Sequence, residues 1–301
     1  MSESRRSRKQ ILLDSGQLWL LDRFENLLKN RPIESAENIA IKFTNIARLV
    51  DGKHRKRTLS NLELAFPEWS DEKRREVAKE VYRHFGRIIA DFVQTSQRTD
   101  QEVLDSMEVI GMEHLHEAEA RNNGIIAITG HFGSWERMAQ WLHATGRHIT
   151  VITRDANQGV LDERVKQMRK GAGMDLLSRG SAARGALIAL KRNKIVGILP
   201  DQNSDEIFVP FFGKQTGYVR GPGILRQSTG SPMLTVYAFR TGPGKYRMEI
   251  SPIVEPEPGY DEVEGIARAL SKELEKAVRK APEQWLWMHD RWKSARQRGI
   301  L

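Results

Sequence analysis

His131 and Glu136 lie five positions apart in Gly130-His131-Phe132-Gly133-Ser134-Trp135-Glu136, between an apolar run over 124–129 and a helical pattern over 135–145. A histidine on the turn after a buried strand is a candidate general base. A nearby carboxylate can fix its tautomer and stabilise its charged form. On one continuous helix this spacing would splay the two side chains by about 140°. They can meet only if His131 lies on the turn before the helix, with Gly130 and Gly133 allowing the turn and Ser134 as the N-cap. Glu136 then falls in the first helical turn, where the helix dipole favours an ionised carboxylate. Spacing alone more readily gives a surface histidine and an ordinary first-turn glutamate.

Other candidates also follow apolar runs. Arg154 ends the run over 149–153, and Asp201 follows the run over 195–199. In an open α/β sheet the carboxyl ends of the strands are where ligand sites gather. The planar fork of arginine suits an anionic group such as a phosphate. Taken singly, each arginine also reads as a solvated surface charge and Asp201 as a turn-forming residue.

Elements that would position these residues alternate from Gly124 onward. Strands are predicted over 125–129, 149–153, 174–177, 195–199, 233–239 and 246–252. Helices are predicted over 135–145, 159–171, 181–192, 218–229 and 262–280. This alternation predicts an α/β fold, a largely parallel sheet with helices on both faces. Residues 1–100 read as a helical extension, with helices over 11–29, 34–50 and 71–97, and residues 101–301 as the α/β core. In the last of these helices Val77, Val81, Phe85, Ile88, Ile89, Phe92 and Val93 recur at helical spacing and are expected in the core. The stretch over 213–223 reads as a glycine-rich loop entering a helix.

The chain has 301 residues and a formal charge of +9, with no cysteine. Disulfides, thiolate metal sites and a cysteine nucleophile are therefore excluded. The positive excess favours acidic partners. No nucleic-acid motif is present, and the aromatic residues do not interleave with basic ones as a stacking platform would. No apolar run reaches the roughly 18 residues of a membrane span, and 18–21 is too short for a signal-peptide core. Residues 11–28 read as an amphipathic helix. Its apolar side either packs on the core or meets a membrane, with Trp19 and Phe24 in the interface and Arg23, Lys29 and Arg31 at headgroups. Lys53-His54-Arg55-Lys56-Arg57 is a basic cluster, either a headgroup site or a solvated helix start. Trp285, Trp287 and Trp292 are either core residues or an interfacial belt.

The His-x4-Glu spacing resembles the catalytic signature of the glycerolipid acyltransferase superfamily. Asn61-Leu62-Glu63-Leu64-Ala65-Phe66-Pro67-Glu68, Leu199-Pro200-Asp201-Gln202 with Phe208-Val209-Pro210-Phe211-Phe212-Gly213, and Pro282-Glu283-Gln284-Trp285-Leu286-Trp287-Met288-His289 with Arg291 and Trp292 resemble successive blocks of the bacterial lipid A late acyltransferases. The resemblance covers about residues 45–293. It implies a glycerolipid-acyltransferase-like fold and acyl transfer from an acyl carrier protein to a hydroxyl of a lipid A precursor. His131 would be the base, Glu136 its orienting partner, and Arg154, Arg169 and Asp201 site residues, with Arg164 the alternative beside Arg169 for binding substrate. Thr216 and Arg220 would be more distant contacts. It also implies no metal and no cofactor beyond the acyl thioester, and a location at the cytoplasmic face of the bacterial inner membrane. Without a spanning run, attachment to an anionic membrane surface would be peripheral or monotopic, a departure from the anchored family pattern. Alternatives are the same chemistry on a lysophospholipid, a phosphatidylinositol mannoside or an aminolipid, thioester hydrolysis, and a non-catalytic binding protein.

Overall fold

A computed structural model describes residues 8–153, 159–178, 180 and 182–301, with side chains from residue 16 onward. It opens with helices α1 (Arg8–Lys29), α2 (Ile33–Val50), α3 (Gly52–Ala65), α4 (Asp71–Val93) and the short α5 (Asp100–Asp105). Local signals set their ends. Pro32 separates α1 from α2, and Ser70 caps α4 by accepting a bond from the Lys73 amide, with Asp71 and Glu72 in the first turn. The basic cluster after Gly52 starts α3, whose N-cap Asp51 accepts from the His54 amide.

The core then runs β1 (Met107–Ile110), α6 (Met112–Ala120), β2 (Ile125–Ile128), α7 (Trp135–Ala144), β3 (Ile149–Thr153), α8 (Val160–Gly171), β4 (Asp175–Ser178), α9 (Ala182–Lys191) and β5 (Ile195–Ile198). It continues through β6 (Ile207–Phe211), β7 (Lys214–Tyr218), α10 (Gly221–Thr229), β8 (Met233–Gly242), β9 (Lys245–Ile250), α11 (Glu262–Lys280) and α12 (Lys293–Gln297). Seven strands form one sheet in the order β1-β9-β8-β2-β5-β3-β4. All its neighbours pair in parallel except β8 with β9. The predicted α/β fold is therefore present. Ile125, Ala127, Ile149 and Ile195 bury one face against α6 and α7, while Ile126, Ile128 and Val196 bury the other against α9, α10 and α11.

Two elements depart from the sequence reading. Residues 207–218 form an antiparallel hairpin where only a loop was expected at its end. Phe212 and Gly213 turn it with φ of +51° and +69°, the positive pair that a two-residue hairpin needs. Phe212 holds this unfavourable conformation because it is buried beside Phe66 and Phe211 and lies under the Arg279 guanidinium. In α4, Val77, Val81, Ile88 and Val93 are buried as the spacing predicts, but Ile89 is exposed, and the helix ends at Val93 before a separate turn over Thr95–Gln97.

The three C-terminal tryptophans belong to the core, each no more than 1% exposed. They pack with Phe132, with Leu62 of α3 and with Val77 and Val81 of α4. The amphipathic reading of α1 holds only in part. Trp19 is 58% exposed, but Phe24 is half-buried and meets the Phe43 ring edge-to-face at 4.9 Å. Lys29 pairs with Glu25, and Arg31 bonds the Leu27 carbonyl.

A buried ion pair joins α4 to α7. Arg137, fully buried, reaches Asp91 through Nη2 at 2.6 Å and Nε at 3.3 Å. Arg98 approaches the same carboxylate at 3.3 Å. Removing one partner of a buried pair strands the other charge. Asp91→Ala should therefore lower stability by about 3–5 kcal/mol, read as the loss in unfolding free energy in a urea titration against the unmodified chain.

Candidate active site

Strand pairing, rather than local spacing, assembles the site. Ile128 of β2 and Ile198 of β5 are register partners, and the Thr129 amide still bonds the Ile198 carbonyl. His131 and Asp201 each follow three residues later, so they emerge side by side at the carboxyl edge of the sheet. His131 Nδ1 lies 2.8 Å from Asp201 Oδ1, and the His131 backbone amide donates to Asp201 Oδ2 at 2.8 Å. The Trp285 indole N–H donates to that same Oδ2 at 3.0 Å. Asp201 is buried.

A carboxylate on Nδ1 requires the proton there, so in the neutral ring Nε2 carries the lone pair. Burial pulls the His131 ring down, but the charge and hydrogen bond of Asp201 outweigh it and hold the ring above its ordinary value of 6.5. Burial pushes Asp201 up, but the facing imidazole, its amide and Trp285 bring the carboxyl down to about 2. The product is a histidine that takes up a proton readily beside a carboxylate that stays ionised.

Glu136 does not orient His131. Arg169 Nε reaches its two oxygens at 3.0 and 3.1 Å, and the Trp135 indole donates to Oε1 at 3.0 Å. The five-residue spacing places Glu136 on the cavity wall, while the second strand supplies the carboxylate for the histidine. Burial pulls Arg169 down, and Glu136 more than offsets it. Ser134 is the N-cap of α7 by position, yet its side chain makes no capping bond and its hydroxyl lies 3.5 Å from Asp91.

The turn itself depends on glycine. Gly133 has φ of +55°, and a Cβ there would fall 1.9 Å from the Ala238 carbonyl oxygen. At Gly130 a Cβ would press on Asp201 Oδ2 at 3.2 Å. The C-terminal segment clamps the same turn, since Gly133 donates to the Gln284 carbonyl and Leu286 to that of His131. From α4, buried His84 places Nε2 3.4 Å from the Gly133 carbonyl. Burial holds that ring at about 3, so it is neutral and its N–H donates.

A family model described as bacterial lipid A biosynthesis acyltransferase matches residues 4–294. The chain belongs to this family. A palmitoleoyltransferase and a lauroyltransferase of lipid A biosynthesis from Escherichia coli K12 are 30% and 29% identical to it, each match covering 78% of this chain and 77% of the relative. A lipid A biosynthesis acyltransferase of Haemophilus influenzae is 27% identical over 78% of this chain and 74% of its own length. The crystal structure of a 1-acyl-sn-glycerophosphate acyltransferase from Thermotoga maritima aligns over 80% of this chain and 99% of its own, with a TM-score of 0.39 and 14% identity.

In this acyltransferase His131, Glu136 and Arg169 line a cavity of about 240 Å³ that runs under α7, past Met138 and Ala139, to Gly197 and Val151 on the sheet. The remaining expected site residues part company. Arg154 lies outside the described residues. Arg164 is bound to Glu25 at 2.6 and 2.7 Å and to Asp22 at 3.0 Å, tying α8 to α1. Arg220 is exposed at the start of α10, and Thr216 is buried with its hydroxyl on the Arg291 carbonyl. Among the described residues no cluster of three or more acidic or histidine side chains is placed to hold a metal ion.

Trp285 and Arg291 were not singled out from the sequence as site residues. Fully buried Arg291 donates through Nη1 to the carbonyls of Gln202 and Gly217, fixing the chain just after Asp201. Their place in the C-terminal block was the available signal. The pH response follows from the pair. If His131 acts as a base it must be unprotonated, and kcat/KM should then rise with pH through a midpoint above 6.5. Asp201→Asn removes the charge that raises the ring. Its midpoint should fall below 6.5, with kcat down by about 100-fold, measured as a pH–rate series on both proteins.

Proposed function

We propose that the protein transfers a fatty acyl group from an acyl carrier protein thioester to a hydroxyl of a lipid A precursor, with His131 as general base. The observation that carries this reading is the His131–Asp201 pair at the head of an apolar cavity. Nε2 takes the acceptor proton as the hydroxyl oxygen attacks the thioester carbonyl carbon. The tetrahedral intermediate then collapses, the C–S bond breaks, and the proton passes from His131 to the leaving thiolate. Asp201 keeps the tautomer and stabilises the imidazolium formed midway. Arg169, held by Glu136, supports the developing oxyanion with its positive charge. The chemistry asks for no group beyond the acyl thioester.

The cavity beside His131 suits the donor chain. Its first methylene is bonded to the reacting carbon, so the acyl chamber must begin at the base itself. Met138, Ala139, Val151 and Gly197 supply an apolar wall for it.

Among the described residues no helix is long and apolar enough to cross a membrane. Attachment is assigned instead to the outer side of α1 and α2. Trp19, Leu20, Phe43, Ile46, Leu49 and Val50 are exposed there, followed at once by Lys53 and Lys56 of α3. Apolar residues rimmed by lysine suit docking on an anionic lipid surface, and the surface proposed is the cytoplasmic face of the inner membrane. Ile46→Asp with Leu49→Asp should abolish co-sedimentation with phosphatidylglycerol-containing vesicles. Undiminished sedimentation would remove this face from the proposal.

Transfer is tested with radiolabelled acyl carrier protein thioesters and a panel of lipid acceptors. The unmodified protein should label the lipid A precursor, and His131→Ala should lose transfer by at least about 100-fold while keeping its fold by circular dichroism, with a lower thermal melt because buried Asp201 loses one of its donors. Transfer surviving in the variant would remove His131 as the base. Label in a different lipid would move the acceptor, and free fatty acid alone would make the protein a hydrolase.

A further inference from the structure

A second cavity of about 490 Å³ lies on the opposite face of the sheet. It opens between α9 and α10, with Ala183, Ala186, Leu187, Ile198, Ile224 and Leu225 as apolar lining. Asn203, Ser204, Glu206 and Ser228 give it a polar edge. The two cavities are not independent. Ile152, Thr153, Leu199 and Gln202 line both. They cluster at the carboxyl ends of the adjacent strands β3 and β5. The sheet edge is thus a crest with one chamber falling away on each side, and His131 lines only the first.

We propose that this second chamber binds an alkyl tail of the acceptor lipid, so that donor and acceptor chains occupy opposite faces of the sheet and their reacting ends meet over the crest. This rests on the acyl-transfer reading above. The assignment follows from bond connectivity. A donor chain starts at the reacting carbonyl carbon and needs the chamber that His131 lines. An acceptor tail is joined to the reactive hydroxyl through intervening atoms, so its chamber must start a few bonds from the base, as this one does across the crest. The lining fits a tail rather than a headgroup. Among the described lining residues Glu206 is the only charged one, it sits at the edge, and its carboxylate already accepts from the Arg220 amide and the Ser204 hydroxyl. An acidic residue there also disfavours a phosphate. Tail binding against the apolar wall of this chamber would raise acceptor affinity and hold the hydroxyl in register with the thioester.

The test uses the purified full chain, dodecanoyl and shorter or longer acyl carrier protein donors, and a lipid A precursor in mixed micelles. Ala183→Trp and Ile224→Glu alter exposed positions at the chamber's mouth, where substitutions seldom disturb folding. Each should raise the KM for the acceptor by about tenfold, a loss of about 1.4 kcal/mol of binding, and keep the donor chain-length profile. Gly197→Ala adds a methyl to the first chamber at ordinary contact distance, 3.7 Å from Ile149 and Val151. It should do the reverse, shifting the profile toward shorter donors and leaving the acceptor KM in place. A changed donor profile in Ala183→Trp or Ile224→Glu would hand the second chamber to the donor and overturn the proposal. Unchanged kinetics in both would overturn it as well. Ser228→Trp, from the α10 wall, replaces either variant if thermal melts show misfolding. Absence of transfer by the unmodified protein would defeat the acyltransferase reading itself, and it shows before any variant is compared.

Discussion

The buried Asp201 carboxylate is the point on which the catalytic edge is built. An ionised carboxylate out of water is tolerated only when its lone pairs are filled. Three donors converge on it here: the His131 ring, the His131 amide and the Trp285 indole. The donors come from the end of β2 and from the C-terminal segment and the carboxylate from the end of β5, so satisfying one charge ties three distant stretches of chain together. The same bonds that stabilise the anion set the imidazole's tautomer. Stability and chemistry are served by one group.

Around that charge, support arrives from both ends of the sequence. The tryptophans at 285, 287 and 292 bury a large apolar surface against α3 and α4, and fully buried residues of this kind contribute about 1.5–3 kcal/mol each. Asn61 of α3 donates to the carbonyls of Trp287 and His289, and His289 accepts from the amide of Asn203, two residues past Asp201. The N-terminal helices are therefore part of the frame of the site. The Asp91–Arg137 pair extends this frame to α7, which carries Glu136.

Periodicity in the sequence reveals what is local. The strands of the main sheet from Ile125 onward, the helices between them and the largely parallel character of that sheet follow from apolar runs and their spacing. So does the position of His131 on a turn after a strand. What periodicity does not carry is which carboxylate the histidine meets. Glu136 is near in sequence, but α7 directs it to Arg169. Asp201 lies 70 positions away and becomes a neighbour only because β2 pairs with β5. Asp91 and Arg137, 46 positions apart, look like two helical surface charges until the helices pack. The hairpin at 207–218 was hidden because its turn uses Phe212 at positive φ, where sequence reading looks for glycine or asparagine. The resemblance to known blocks named Asp201 as a site residue without saying what it does.

The register of β2 against β5 carries one more consequence. Since His131 and Asp201 each stand three residues beyond a paired isoleucine, the distance between them is governed by the lengths of two short connections. Evolution can vary the side chains along those strands while the site persists, provided both connections keep their count. A single inserted or deleted residue in either one would rotate a functional group away from its partner even if every contact in the core survived. Length variation in this protein should therefore be confined to other loops, such as the connection over 145–148 from α7 into β3, which meets the sheet at its amino edge.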